Sequence, residues 1–177
     1  FLNTFYLSEQ IAEFIKNKNF SIKINIIEDG KDILDTGGGV LNMINHSDST
    51  DFFVFNPDTI WNENYVKEIN DMQKYYFQNK LNNILLLADK KLSFDNNIEG
   101  DFDLKDNIIK KSVEKNFIYT GCQILNKNLF NGYKVENFSV TKIWNKLLLK
   151  KQLNGFESTN KFYHLTNLEI FKKLKGS

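Results

Sequence analysis

The chain has 177 residues, 41% apolar and 14% aromatic, enough to bury the core of one domain spanning 1–177. Its 23 basic and 22 acidic side chains leave a net charge of +1, so no long-range positive field favours a polynucleotide partner. The lone Cys122 excludes an internal disulfide and suits a reducing compartment, and no apolar run approaches the roughly 20 residues that span a bilayer. The expectation is a cytoplasmic protein that binds neither nucleic acid nor membrane.

In chain order, Phe1 to Phe5 reads as the end of a strand. Ser8 is placed to cap a helix running to about Lys18, with Ile11, Phe14 and Ile15 on one face. Ser21 to Ile27 alternates isoleucine with polar residues and predicts a strand. Three glycines, 37 to 39, then open a short helix carrying Leu41 and Ile44. Phe52 to Phe55 is wholly apolar, the pattern of a strand buried on both faces. Asn62 or Asn64 caps a longer helix to about Gln78, with Tyr65, Ile69, Met72 and Tyr76 at helical spacing. Asn83 to Ala88 predicts another buried strand, Asp89 to Ser112 loops and short strands, and Phe117 to Leu125 a strand interrupted at Thr120-Gly121. Thr141 to Lys151 is helical, Phe156 to Leu165 mixed strand and turn, and Leu168 to Leu174 a closing helix. Strands alternating with helices at short spacing predict an α/β fold with a mostly parallel sheet.

Two groups carry candidate chemistry. In Ile33-Leu34-Asp35-Thr36-Gly37-Gly38-Gly39-Val40 the missing Cβ atoms let a ligand approach backbone N–H groups at a helix N-terminus. Asn56-Pro57-Asp58 follows an apolar strand, and a carboxylate just past the carboxyl end of such a strand sits where open α/β sheets bind ligands. Taken singly, the glycines also fit a tight turn and Asp58 a helix cap. Cys122, Trp61 and Trp144 read as packing residues, although Trp144 could border a ligand. His46 reads as solvated, and His164 as either a packed histidine or a site residue.

In order along the chain, Leu34 to Val40 resembles the L(D/E)TGGG segment of the sugar-1-phosphate nucleotidyltransferases, and Phe53 to Asp58 their strand followed by Asn-x-Asp. Gly100-Asp101-Phe102, Tyr119-Thr120-Gly121, Phe138-Ser139-Val140 with Trp144, and Phe162-Tyr163-His164 follow in the family's order. The nearest subgroups are the N-acetylmuramate-1-phosphate uridylyltransferase-like and mannose-1-phosphate guanylyltransferase-like enzymes. The resemblance implies a Rossmann-like fold of the glycosyltransferase-A kind with helices on both faces of the sheet. It also implies transfer of a nucleotidyl group from an NTP to a sugar-1-phosphate, with Mg²⁺ as cofactor and release of pyrophosphate. By it, Asp58 is catalytic and a metal ligand, with His164 as the second metal position. Asp35, Thr36, Gly37, Gly38, Gly39 and Asn56 bind the nucleotide, and Gly100, Asp101, Thr120, Gly121, Glu136 and Asn137 the sugar.

Two departures stand out. The family's first strand and its Arg-containing phosphate loop have no counterpart here. The expectation is therefore an N-terminally truncated piece, inactive as it stands and prone to aggregate through uncovered strand edges. Where many relatives carry a second metal-binding Asp, this chain has His164, and imidazole suits Zn²⁺ or Mn²⁺ better than Mg²⁺. Two other readings remain open: an A-type glycosyltransferase holding an NDP-sugar through a metal, and a non-catalytic nucleotide-sugar-binding domain. A Gly-x-Gly-x-Arg loop upstream would favour nucleotidyl transfer over the first, and pyrophosphate release would exclude the second.

Overall fold

The computed structural model of the chain describes residues 1–176, which divide between two units. The first takes in Phe1–Thr50 and Lys127–Asn145. There, β1 (Leu2–Thr4) and β2 (Ile26–Glu28) pair in parallel, Leu2 opposite Ile26. The helix between them, α1 (Ser8–Asn17), begins at Ser8 itself. Its cap position is Leu7, in the left-handed region at φ +55°, and no side chain caps it, so the expected Ser8 cap is not made. β2 is shorter than the isoleucine alternation predicts: its ladder with β1 runs from Ile26 to Glu28, and Asn25 O accepts one further bond from Leu2 N–H (2.9 Å). Next, α2 (Asp35–Ile44) packs on β1. The three glycines lie inside its first turns rather than ahead of it, and with Val40, Leu41 and Ile44 they form its buried face.

The second unit holds Asp51–Asn126 and the chain from Lys146 onward. β3 (Asp51–Phe55), α3 (Asn64–Gln78), β4 (Asn83–Asp89), the β5 (Asp103–Lys105) to β6 (Ile108–Lys110) hairpin and β7 (Phe117–Asn126) come first. After α4 (Thr141–Leu149), which begins in the first unit, β8 (Gly155–Ser158) and α5 (Leu168–Lys175) complete it. The sheet order is β3-β7-β4-β8. β7 runs antiparallel to β3 and β4 while β8 is parallel to β4, so three strands share one direction and β7 alone opposes them. This is a mixed α/β arrangement. The hairpin turns at Asp106 and Asn107, both with positive φ (53° and 58°), the geometry short hairpins prefer.

β4 is buried from Asn83 to Ala88, as its unbroken apolar run predicts. β3 departs from the same expectation: it has one hydrogen-bonded neighbour, β7, and Phe53 and Phe55 keep 36% and 45% of their surface. An apolar run of this length cannot report whether a strand is central or at an edge. α3 obeys its spacing and lays Tyr65, Met72 and Tyr76 on Ile84, Leu86, Cys122 and Ile124. Each such buried side chain contributes roughly 1.5–3 kcal/mol. Among the described residues, no helix is long and apolar enough to cross a membrane.

Candidate active site

The interruption predicted at Thr120-Gly121 builds the site. Between Leu85 and Leu87 of β4 the pairing with β7 slips from Gln123 to Tyr119, leaving Thr120, Gly121 and Cys122 opposite Leu86 alone, a bulge. Gly121 has φ +89°, and a Cβ there would lie 2.8 Å from Cβ of Asn56, so only glycine lets the two segments touch. The bulge grips the turn after β3. Asn56 N–H donates to Gly121 O (2.8 Å), Thr59 Oγ1 to Thr120 O (2.7 Å), and Trp61 Nε1 to Asn56 O (3.2 Å). Thr120 is fully buried and gives its hydroxyl to Leu86 O (2.9 Å), which holds the bulge.

Asp58 sits at the tip of this turn. Its carbonyl accepts from Leu165 N–H (2.7 Å), and Ile60 N–H donates to Tyr163 O (2.9 Å), so the residues around 58–60 run antiparallel to 163–165. That pairing brings in His164, whose ring stacks on buried Phe162 at 5.8 Å. His164 Nδ1 stands 3.8 Å from Asp58 Oδ1, too far for a hydrogen bond, and both atoms are buried without any partner. Two such atoms facing each other are costly unless something comes between them. The rest of the Asp58 side chain is open, 48% exposed against 25% for His164, so a ligand can reach it.

The donor set fits a divalent cation. A carboxylate oxygen and a neutral imidazole nitrogen are metal-ligating atoms, and 3.8 Å is a separation that two ligands of one ion can have. No group of three or more His, Cys, Asp or Glu side chains among the described residues could hold a metal ion. A pair of ligands suits an ion that takes its remaining ligands from phosphate and water, and the imidazole nitrogen favours Mn²⁺ over the oxygen-seeking Mg²⁺.

Asp101 belongs to the same neighbourhood. Its Oδ2 accepts from Tyr119 N–H (2.9 Å). Burial raises its pKa, opposed by the Tyr119 N–H and by the charges of Lys115 and His164. Burial, then the nearby Cys122 and Asp58, holds the Tyr119 phenol well above its usual range. Cys122 is fully buried in β7 and its thiol is pushed up to about 12, a packing residue as expected. Gly100 is packed against the protein itself: a Cβ there would lie 1.7 Å from Lys115 O.

The remaining predicted residues gather in the first unit. Asp35 begins α2 in the left-handed region (φ +57°), with its carboxylate accepting from Thr36 N–H (2.5 Å). Gly37 and Gly38 both donate their N–H to Phe138 O (2.8 and 3.1 Å), and Phe138 N–H returns a bond to Leu34 O (3.1 Å). Cβ atoms at these glycines would lie 2.3 Å from the Phe138 ring and 2.0 Å from Glu136 O. The N–H groups of Gly37 and Gly38 are thus occupied by the chain's own Phe138 carbonyl. Asn137 Nδ2 donates to Ile33 O (2.8 Å) and Thr36 Oγ1 accepts from Val140 N–H (3.0 Å), completing the clasp. Asp35, Thr36 and Glu136 remain exposed. Sequence reasoning missed Thr59 and gave Tyr119 no role within its motif, because their contacts arise only once β7 folds against β3 and β4.

The fold is that of solved sugar-1-phosphate nucleotidyltransferases. The chain is similar in structure to HddC from Yersinia pseudotuberculosis, with a TM-score of 0.72 and 22% identity over 99% of this chain and 77% of that one. It is equally similar to the inositol-1-phosphate CTP transferase from T. maritima: TM-score 0.72, 14% identity, 98% of this chain and 74% of that one. UDP-glucose pyrophosphorylase complexed with UDP-glucose matches at TM-score 0.66 and 17% identity over 98% and 73% of the two chains. No protein-family model matches the sequence, and no curated protein does so either.

Proposed function

We propose that the protein transfers a nucleotidyl group from an NTP to a sugar-1-phosphate, with Asp58 and His164 holding the divalent cation the reaction needs. The observation that carries this reading is the pair of buried, unpartnered atoms, Asp58 Oδ1 and His164 Nδ1, 3.8 Å apart at the end of a strand in a nucleotidyltransferase fold. In the reaction a sugar-phosphate oxygen attacks the α-phosphorus, the new P–O bond forms, and the bond to pyrophosphate breaks. Both reactants are anionic, so the barrier is largely charge repulsion and positioning, which a bound Mg²⁺ lowers by neutralising phosphate oxygens.

The chain's own residues supply position. Asp58 and His164 fix where the phosphates lie, on a turn anchored to the Thr120-Gly121 bulge. Asp101, with Oδ2 engaged by Tyr119 N–H, has Oδ1 for a sugar hydroxyl. In the first unit, Asp35, Thr36 and Glu136 are the exposed groups of the glycine clasp and the ones we assign to substrate. NTP substrates place the reaction in the cytoplasm. The test is pyrophosphate release by the full-length protein across four NTPs and several sugar-1-phosphates, with Mg²⁺ and then Mn²⁺. Asp58→Ala lowers turnover about a hundredfold, equal to about 2.7 kcal/mol. Turnover untouched by that change removes Asp58 from the reaction, and binding of an NDP-sugar with no pyrophosphate release makes the protein a sensor instead.

A further inference from the structure

The segment that carries His164 is held from upstream by α3, and its anchor is a carboxylate that touches neither Asp58 nor His164. Glu68, on the second turn of α3, accepts three hydrogen bonds from the turn after β8: Ser158 Oγ (2.7 Å) to Oε2, and Thr159 N–H (2.6 Å) and Oγ1 (2.9 Å) to Oε1. Two neighbours on α3 extend the grip. Asn160 Nδ2 donates to Asn64 O (3.1 Å), and the Tyr65 hydroxyl donates to Lys161 O (3.0 Å). Burial, with the charge of Glu68 adding, pushes the Tyr65 phenol up to about 12, so it stays protonated and keeps donating at ordinary pH. Beyond Lys161 the chain pairs with Leu92 and Phe94 through Phe162, then with Asp58 and Ile60 through Tyr163 and Leu165.

The same helix also governs the other arm. Asp58 lies six residues before α3, on a turn tied down by Trp61, and Trp61 packs edge-on against Tyr65 (5.1 Å). Both members of the Asp58–His164 pair are thus referenced to the first two turns of α3, and Glu68 makes the most bonds in that bracket. Ser158 is buried and the Glu68 carboxylate satisfies it, so losing Glu68 frees the turn that precedes the His164 segment.

We propose that Glu68 is a positioning residue: it sets the separation of Asp58 Oδ1 and His164 Nδ1 by fixing Ser158 and Thr159, and thereby the affinity of that pair for a divalent cation. This rests on the reading above that the pair holds the cation. Groups that orient metal ligands from outside typically change affinity by about 10–100-fold.

The experiment uses Mn²⁺ as probe, following loss of the free-ion paramagnetic resonance signal on titration with the protein. The imidazole nitrogen–proton spectrum is recorded in parallel without metal. The chain has two histidines, so His46 serves as the internal reference for His164. Glu68→Ala is expected to weaken Mn²⁺ binding about tenfold and to shift the His164 signals while those of His46 stay. Glu68→Gln, which keeps an acceptor for Thr159 and offers a donor to Ser158, should restore both. If Glu68→Ala does not fold, Thr159→Ala takes its place with the same expectations at smaller amplitude. A folded Glu68→Ala protein with wild-type Mn²⁺ affinity and unmoved His164 signals overturns the proposal. If the wild-type chain binds no Mn²⁺, or binds it regardless of Asp58→Ala, the cation reading falls, and the His164 signals still decide whether Glu68 positions that residue.

Discussion

Replacing Gly38 with alanine separates two reasons for the triple glycine. If the glycines serve only a ligand, Gly38→Ala places a better helix former inside α2 and stabilises the protein by about 1 kcal/mol. The structure points the other way. A Cβ at position 38 would lie 2.0 Å from Glu136 O, and real Cβ atoms essentially never approach closer than 3.0 Å. The backbone at Glu136 must therefore retreat by about 1 Å, drawing Phe138 O away from the Gly37 and Gly38 N–H groups that it accepts at 2.8 and 3.1 Å. Two hydrogen bonds at about 1 kcal/mol each and overpacking of about 2 kcal/mol, less the helix gain of about 1 kcal/mol, leave a net loss of about 3 kcal/mol. That is a large share of a typical stability of about 5–15 kcal/mol. Urea unfolding followed by far-ultraviolet circular dichroism reads it directly. Gly39→Ala is the control, because its Cβ comes closer than 3.4 Å only to the side-chain amide of Asn3 (2.8 Å), which can move at the expense of one exposed hydrogen bond to Asp29. A Gly38→Ala protein as stable as wild type, or one no worse than Gly39→Ala, would refute the clasp as the reason for glycine.

Thr59→Val removes the hydroxyl that bonds buried Thr120 O, and unfolding experiments should show a loss of about 1–3 kcal/mol with weaker Mn²⁺ binding at Asp58. Asp101 has its pKa raised by burial, so its ionised form weighs against folding. That cost is absent below the unfolded-state value of about 3.9 and grows as pH rises through the folded-state value. Asp101→Asn should accordingly be more stable than wild type at pH 7, with the gap closing towards pH 3.5; a variant less stable at pH 7 contradicts the assignment. Cys122, with its thiol pushed up to about 12 inside β7, should resist an aromatic disulfide reagent at pH 8 until urea opens the sheet, whereas prompt reaction in the native protein would show it exposed.

Periodic patterns carried the helices well. The spacing of Tyr65, Met72 and Tyr76 gave the buried face of α3 directly, and the apolar run of Asn83 to Ala88 gave the central strand. Patterns of this kind encode which residues are buried, not what buries them. Phe52 to Phe55 looks as apolar as β4, yet β3 lies at an edge because strand order is set by pairing over long stretches of chain. The glycine segment was legible as special for the right stereochemical reason, close backbone approach, but the approaching group is Phe138 from about 100 residues on. The Asp58–His164 pairing was legible only through family resemblance, since 106 positions separate the two and neither neighbourhood names the other. Glu68 left no trace, because a glutamate on an exposed-looking helix turn is ordinary until Ser158 and Thr159 are folded against it.

The indole of Trp61, bonded to Asn56 O two positions before Asp58, gives the protein an optical gauge of its own. The chain has one other tryptophan, Trp144, and it lies in the other unit. Substituting Trp144 by phenylalanine leaves a single emitter beside the carboxylate, so capture of an ion or a phosphate there becomes a change in colour and intensity that needs no label and no turnover.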